Sequence, residues 1–227
     1  MRQSRAALVV AGVCVVITGC TTMVNADSTT PSRTTVPRPL VERELSGLLL
    51  EPEEASAVMG ATGLVPTSTE SAMPDNSGIM EPRECLAIDA AAEALVYEGS
   101  DYWAERGVSM NNGDDFTHYL KQAVVLFPYR EKAAGFFEAS VHQWPACRRY
   151  THTQSGSVWD VGKIVNEDHI LSTTAMMQEA KAPGWGCGRA LALRNNIIID
   201  VNTCSPDPAD SAVRVAAAIG ENVRAQW

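Results

Sequence analysis

The stretch CGRALALRNNIIIDVNTC, residues 187–204, decides the fold. Two apolar-rich runs, 188–194 and 197–203, flank Asn195-Asn196, and asparagine tolerates the positive φ that a two-residue type I′ turn requires. The expected element is a long antiparallel hairpin in which Arg194 faces Ile197. Counting outward from that pair sets Cys187 opposite Cys204. Seven is an odd number of steps, so the cysteines fall on a non-hydrogen-bonded site with Cα atoms about 4.5 Å apart, within reach of a disulfide. Because side chains alternate across a strand, the same register sorts two faces. Ala190, Ala192, Ile197, Ile199 and Val201 share one, and their small alanines suit a helix packed closely above. Leu191, Leu193 and Ile198 share the other with Arg189, Asp200 and Asn202. Arg189 faces Asn202 and sits diagonal to Asp200, within side-chain reach. A polar trio on an otherwise apolar face makes these three the candidate ligand-binding residues.

The remaining cysteines follow from this one hairpin. Of six, Cys14 lies in a leader-like segment and Cys20 at its end, leaving Cys85, Cys147, Cys187 and Cys204. Four cysteines allow three pairings; with Cys187–Cys204 fixed by register, elimination gives Cys85–Cys147. Each bridge is worth roughly 3–4 kcal/mol in the chain-entropy picture. The absence of C-x-x-C argues against a thioredoxin-like centre or a zinc knuckle.

Helices are expected around this sheet. Residues 52–59 begin with Pro52 and acids in the first turn and stop at Gly60. Glu81 to Tyr97 carries Leu86, Ala90 and Ala94 at helical spacing and reads as a second helix. Tyr129 to Val141 reads as a third. A last helix after Pro208 has Ala212, Val215, Ala216, Ile219 and Val223 on one stripe. Strands are expected at 122–127, 150–153, 157–159 and 170–175, with a hairpin turn at Asn112-Gly113. Strands clustered between Tyr102 and Thr203, with helices before, within and after, give an α+β fold: one domain with an antiparallel sheet flanked by helices.

The first twenty residues read as an address. Arg2 and Arg5 precede about twelve mostly apolar residues, a signal-peptide length that is too short to span a bilayer as a helix. Ile17-Thr18-Gly19-Cys20 resembles the lipobox of bacterial lipoproteins, which implies cleavage after residue 19 and acylation of Cys20. Residues 20–40 are rich in Thr, Ser and Pro and read as an extended tether, with the folded domain expected over 41–227. The whole chain carries a net charge of −9; losing residues 1–19 removes two arginines and no acid, leaving 16 basic and 27 acidic residues, a net −11. That acidity argues against nucleic acid and against a polybasic attachment to anionic lipid, so membrane association is expected through the acyl chains of Cys20. The expected location is the outer side of the cell membrane, where two disulfides persist.

Catalytic patterns are weak throughout. There is no G-x-S-x-G, and Ser155 sits in a Gly/Ser-rich turn. His118, His142, His152 and His169 form no pair at metal-ligand spacing, and Asp114-Asp115 lacks the spaced oxygens of an EF-hand. Asp168-His169 are neighbours that strand geometry would point apart. Gly184-Trp185-Gly186-Cys187-Gly188 precedes a strand, not a helix, and so is no dinucleotide fingerprint. Neither a catalytic residue, a metal nor a cofactor is expected.

Four segments together carry a family resemblance: LLLEPEEASAVMGATGL (48–64), ECLAIDAAAEALVYEGSDYW (84–103), WPACRRYT (144–151) and GWGCGRALALRNNIIIDVNTC (184–204). They are similar to the PknH-like extracellular domain family of mycobacteria, which includes the sensor domain of a receptor Ser/Thr kinase and free-standing lipoproteins. The resemblance implies one α+β domain with a large cleft, and the same first-with-second, third-with-fourth disulfide pairing. It implies binding rather than catalysis, the ligand being a small molecule, a cell-wall fragment or a lipid. An envelope protein partner and an envelope hydrolase are the alternatives. The chain shows no kinase domain and no transmembrane helix beside this region, so signalling across a membrane is not expected from it.

Overall fold

The computed structural model describes residues 37–227. Cys20, the leader and residues 20–36 of the expected tether lie outside the described residues. Ten strands form one antiparallel sheet: β1 (Val65–Glu70), β2 (Met80–Glu81), β3 (Ala104–Asn111), β4 (Tyr119–Leu126), β5 (Arg149–His152), β6 (Val158–Val161), β7 (Val165–Glu167), β8 (Ile170–Met177), β9 (Gly186–Arg194) and β10 (Ile197–Ser205). The order is β1-β3-β4-β10-β9-β8-β6-β5-β2, with β7 paired to β8. The helices are α1 (Pro52–Met59), α2 (Leu86–Asp89), α3 (Ala94–Tyr97), α4 (Arg130–Gln143) and α5 (Ser211–Arg224). This is the α+β architecture expected, with both disulfides in place: Cys85–Cys147 at 5.1 Å and Cys187–Cys204 at 4.0 Å between Cα atoms.

The β9–β10 hairpin sits at the centre of the sheet in the register counted from the sequence, Arg194 opposite Ile197 and Cys187 opposite Cys204. Its turn differs from the type I′ expected. Only Asn195 takes a left-handed φ, +54°, whereas type I′ needs positive φ at both central residues. Asn196 is instead buried. Its side chain accepts the Leu40 N–H at 2.8 Å and donates to the carbonyls of Leu40 and Phe127, tying the start of the domain to the end of β4. The turn with two left-handed residues is Asp168-His169 (φ +51° and +58°), which joins β7 to β8. These two are therefore turn residues and not the strand neighbours expected.

One face of the sheet is covered by α5. Val215, Ala216, Ile219 and Val223 pack on Ala190, Ala192, Ile197, Ile199 and Val201, all of them fully buried. Gly188 lets the helix approach closely: a Cβ there would come within 2.9 Å of Thr203 Oγ1 and 3.3 Å of the Ala212 methyl. Helix α1 has the expected bounds and ends at Gly60, whose φ of +70° supplies the left-handed stop. The opposite face carries a second core, in which Leu191 and Ile198 meet Phe127, Phe137, Trp144 and both disulfides.

Three expectations change. The 81–97 segment is not one helix but α2 and α3 separated by a non-helical break at Ala90–Glu93. Residues Asn112–His118 form a loop organised by the Asn112 side chain, which accepts the Thr117 and His118 N–H groups, instead of a tight Asn-Gly turn. Strand β1 lies outside the range expected for strands. As a bulged edge strand of mostly exposed residues it lacks the alternation that would have marked it.

Candidate functional site

The face away from α5 carries a polar row that crosses six strands. In register it runs Thr173 on β8, Arg189 on β9, Asn202 on β10, Lys121 on β4, Ser109 on β3 and Ser68 on β1. Antiparallel partners point to the same side, so these side chains stand in one line across the sheet. The row also marks a boundary. A mostly apolar core, with Asp200 and Glu105 buried in it, covers the sheet on the hairpin-turn side of it, and a cleft opens on the side of the Cys187–Cys204 bridge.

Beneath the cleft the charges are buried and paired. Arg189 and Asp200 are 2% and 1% exposed and form the diagonal ion pair that the register allows. Arg189 also donates to the carbonyls of Ala190 and Val201, and its guanidinium lies 5.2 Å from the centre of the Trp144 ring. Asp200 accepts the Tyr97 hydroxyl at 2.8 Å and the Ala92 N–H at 2.9 Å. The second contact explains the break between α2 and α3. In a continuous helix the Ala92 N–H would bond to Ile88; here it turns to the buried carboxylate, and Ala92 adopts φ +52°. Burial, reinforced by Asp200, pushes the Tyr97 phenol well above its ordinary range.

A second charged group lies toward the sheet edge. The Lys121 ammonium is 7% exposed and sits 2.9 Å from Glu70. Glu105, 1% exposed, lies over Gly107, where a Cβ would meet its Oε1 at 2.6 Å; neither carboxylate oxygen has a hydrogen-bond partner. Burial first, and Glu70 second, raise the Glu105 carboxyl to about 7, with Lys121 opposing. Glu93, also buried, is pushed upward by desolvation against the hydrogen bonds it accepts from Asn76.

The cleft has two compartments that share Phe116 and Trp185. The inner one, about 310 Å³, is walled by Tyr119, Trp159 and the Cys187–Cys204 bridge, with Asp89, Lys121, His152 and Asn202 supplying its polar groups. The outer one, about 640 Å³, runs between the β5–β6 turn at Ser155–Ser157 and the loop from Met177 to Ala182. Of the three residues singled out in the sequence, Asn202 lines the inner compartment and donates to the Asp89 carbonyl. Arg189 and Asp200 lie below it and hold the α2–α3 segment in place.

No sequence pattern marks His152 as a site residue. Its Nε2 is 2.7 Å from Asp89 Oδ1, and this hydrogen bond raises the imidazole pKa above its usual value. The partners are 63 residues apart, so no local motif announces them. His152 Nδ1 lies 3.4 Å from Ser157 Oγ, an order of groups that invites comparison with a hydrolytic triad. The surroundings do not support acyl transfer. Ser157 Oγ accepts the Trp159 indole N–H and lies 2.9 Å from the Ser155 hydroxyl. The nearby amides that would form an oxyanion hole are committed, Ser157 N–H to Ser155 Oγ and Gly156 N–H to the His152 carbonyl. Among the described residues no cluster of His, Cys, Asp or Glu is arranged to hold a metal ion, and no helix is long and apolar enough to cross a membrane.

Comparison with known proteins agrees with this architecture. The family model described as the PknH-like extracellular domain matches residues 40–222. Serine/threonine-protein kinase PknH from Mycobacterium bovis is 31% identical over 192 residues, covering 82% of this chain and 32% of the kinase. PknH of Mycobacterium tuberculosis is also 31% identical, with 30% of its length covered. The chain thus spans about a third of these curated relatives. The crystal structure of the extracellular domain of PknH from Mycobacterium tuberculosis superposes with a TM-score of 0.78 at 29% identity, covering 83% of this chain and 98% of that one. The sheet, its two disulfides and the match over nearly all the described residues lead to one conclusion: the chain belongs to the PknH-like extracellular domain family.

Proposed function

We propose that this protein is a lipid-anchored envelope lipoprotein whose sensor-type domain captures a ligand without turning it over. Acyl chains on Cys20 would hold it to the outer side of the cell membrane. The ligand, a small molecule, cell-wall fragment or lipid, would occupy the cleft above the Cys187–Cys204 bridge. The observation that carries this reading is the pairing of an aromatic-walled, two-compartment cavity with polar groups already organised by ion pairs beneath it. The direction of the chain supports it. Residues 38–40 join the domain at the Asn195-Asn196 turn, and the cleft lies at the other end of the same hairpin, seven residues or about 23 Å away.

Two measurements test this. Native mass spectrometry of the protein purified from its own envelope should find a non-covalent adduct that Trp185→Ala and Asn202→Ala both diminish; an adduct indifferent to both removes the cleft from the reading. Replacing Cys20 by Ala should release the protein from the membrane fraction, and retention there would remove the anchor. A protein-interaction role has one observation in its favour. Trp103 (68% exposed), Tyr129 and Trp227 stand exposed around the hairpin-turn end, and loss of a captured partner on Trp103→Ala would support that role over ligand capture.

A further inference from the structure

Resting on the reading of the cleft as a ligand site, we infer that its ligand is an uncharged oligosaccharide, with one pyranose ring in the inner compartment and the chain continuing into the outer one. The charges argue first. The lysine, histidine and aspartate lining the inner compartment all have internal partners: Lys121 has Glu70 at 2.9 Å, and His152 has Asp89 at 2.7 Å. An anionic ligand would meet Asp89 and compete with Glu70 for Lys121, and a cationic one would meet Lys121 and compete with His152 for Asp89. An anion would draw Lys121 from Glu70 and, with Lys121 only 7% exposed, break a desolvated pair; a cation would have to displace His152 from Asp89 against the repulsion of Lys121.

Hydrogen-bonding capacity argues next. Lys121 carries three N–H donors and Glu70 engages only part of that set. Asn202 donates through Nδ2 to the Asp89 carbonyl. Its Oδ1 lies 3.4 Å from Cys204 Sγ, which has no hydrogen in the disulfide and so leaves that oxygen an acceptor for a ligand. Hydroxyl groups can use these positions without disturbing either ion pair. A fatty acyl chain would cover Lys121 and Asn202 while giving them no partner, a penalty that burial makes expensive.

The walls complete the match. Tyr119, Phe116 and Trp185 follow one another at centroid spacings of 6.3 and 6.1 Å, tilted and not stacked on each other. Trp159 also lines the inner compartment. Flat aromatic faces opposite a small polar cluster are complementary to a sugar ring, which has an apolar C–H face and a rim of hydroxyls.

The test is tryptophan fluorescence and a glycan array on the full soluble domain, probed with uncharged and acidic oligosaccharides, and separately with palmitate. At least one uncharged oligosaccharide should bind, with little change between 50 and 500 mM salt. Trp185→Ala should weaken binding tenfold or more, Trp185→Phe should restore part of it, and Lys121→Met should cost about tenfold while the circular dichroism spectrum stays unchanged. Binding confined to acidic glycans, or falling steeply with salt, overturns the inference. Binding of palmitate with a silent panel of uncharged glycans overturns it as well but leaves the cleft reading standing. If no probe of any class responds and Trp185→Ala alters no adduct in native mass spectrometry, both readings fail.

Discussion

The two faces of the central sheet solve different problems with the same strands. Toward α5, alternate residues of β9, β10 and β4 are mostly Ala, Ile, Val and Leu; those of β9 and β10 disappear under the amphipathic α5 and those of β4 under the 42–48 segment. Gln122 is a buried polar exception, and its amide is matched by the Leu50 N–H and carbonyl at 2.9 and 2.8 Å. On the other face the intervening residues include Arg189, Asp200, Asn202, Lys121 and Glu105, all of them buried. Apolar burial is the dominant favourable term in folding, so the α5 face carries stability. Buried ion pairs are weak contributors that apolar residues can often replace without loss. Their place beneath the cleft is better explained by what they position there.

The sharpest way to break this comparison is Asp200→Ala. It strands the Arg189 guanidinium in the core and removes the acceptor for Tyr97 and Ala92, and should cost about 3–5 kcal/mol in chemical denaturation with disulfides intact. The companion replacement Arg189→Met with Asp200→Leu should recover most of that stability while abolishing ligand capture. If the double variant stays as unstable as the single one, the pair is structural in its own right. On the opposite face, Ile219→Ala should cost about 3 kcal/mol by leaving a cavity over Ala190 and Ala192, with no change in ligand binding beyond that loss of stability.

Glu105→Gln sharpens the contrast through pH. A carboxyl whose folded pKa is raised to about 7 favours the folded state below its unfolded value near 4.5, and that contribution is lost as pH rises to 7. The wild-type domain should therefore lose about 3 kcal/mol between pH 4.5 and 7.5 from this group. The variant should show a flatter profile, and an unchanged slope would place the titration elsewhere. The smallest effect belongs to Asp89→Asn. It should lower the His152 pKa toward its usual value, read from imidazole shifts by NMR, and change stability by less than about 1 kcal/mol. Because the folded pKa is raised, the stabilisation from this pair is present at acidic pH and fades as pH climbs past the His152 pKa.

Much of this was legible in the chain. The register of β9 with β10 followed from one turn, because a two-residue hairpin leaves no freedom in pairing. The Cys187–Cys204 bridge and the division of faces came with it. The Asn195-Asn196 position is a turn, as its residue types imply, but not in the type I′ conformation, since Asn196 is drawn inward by Leu40 and Phe127. Nothing local distinguishes the alanine-rich 86–97 segment from a helix. Its break depends on Asp200, more than a hundred residues away in sequence. The Asp89–His152 pair is silent for the same reason.

Local sequence thus determined where the central hairpin turns, which residues face α5 and how the cysteines pair, because turn chemistry and a period of two act over a few residues. Tertiary structure alone decided which charges meet under the cleft, since a buried carboxylate takes whatever donors the fold brings to it. Asp200 took a backbone N–H that helix propensity had reserved for Ile88, because leaving a buried charge short of partners costs more than interrupting one turn of helix.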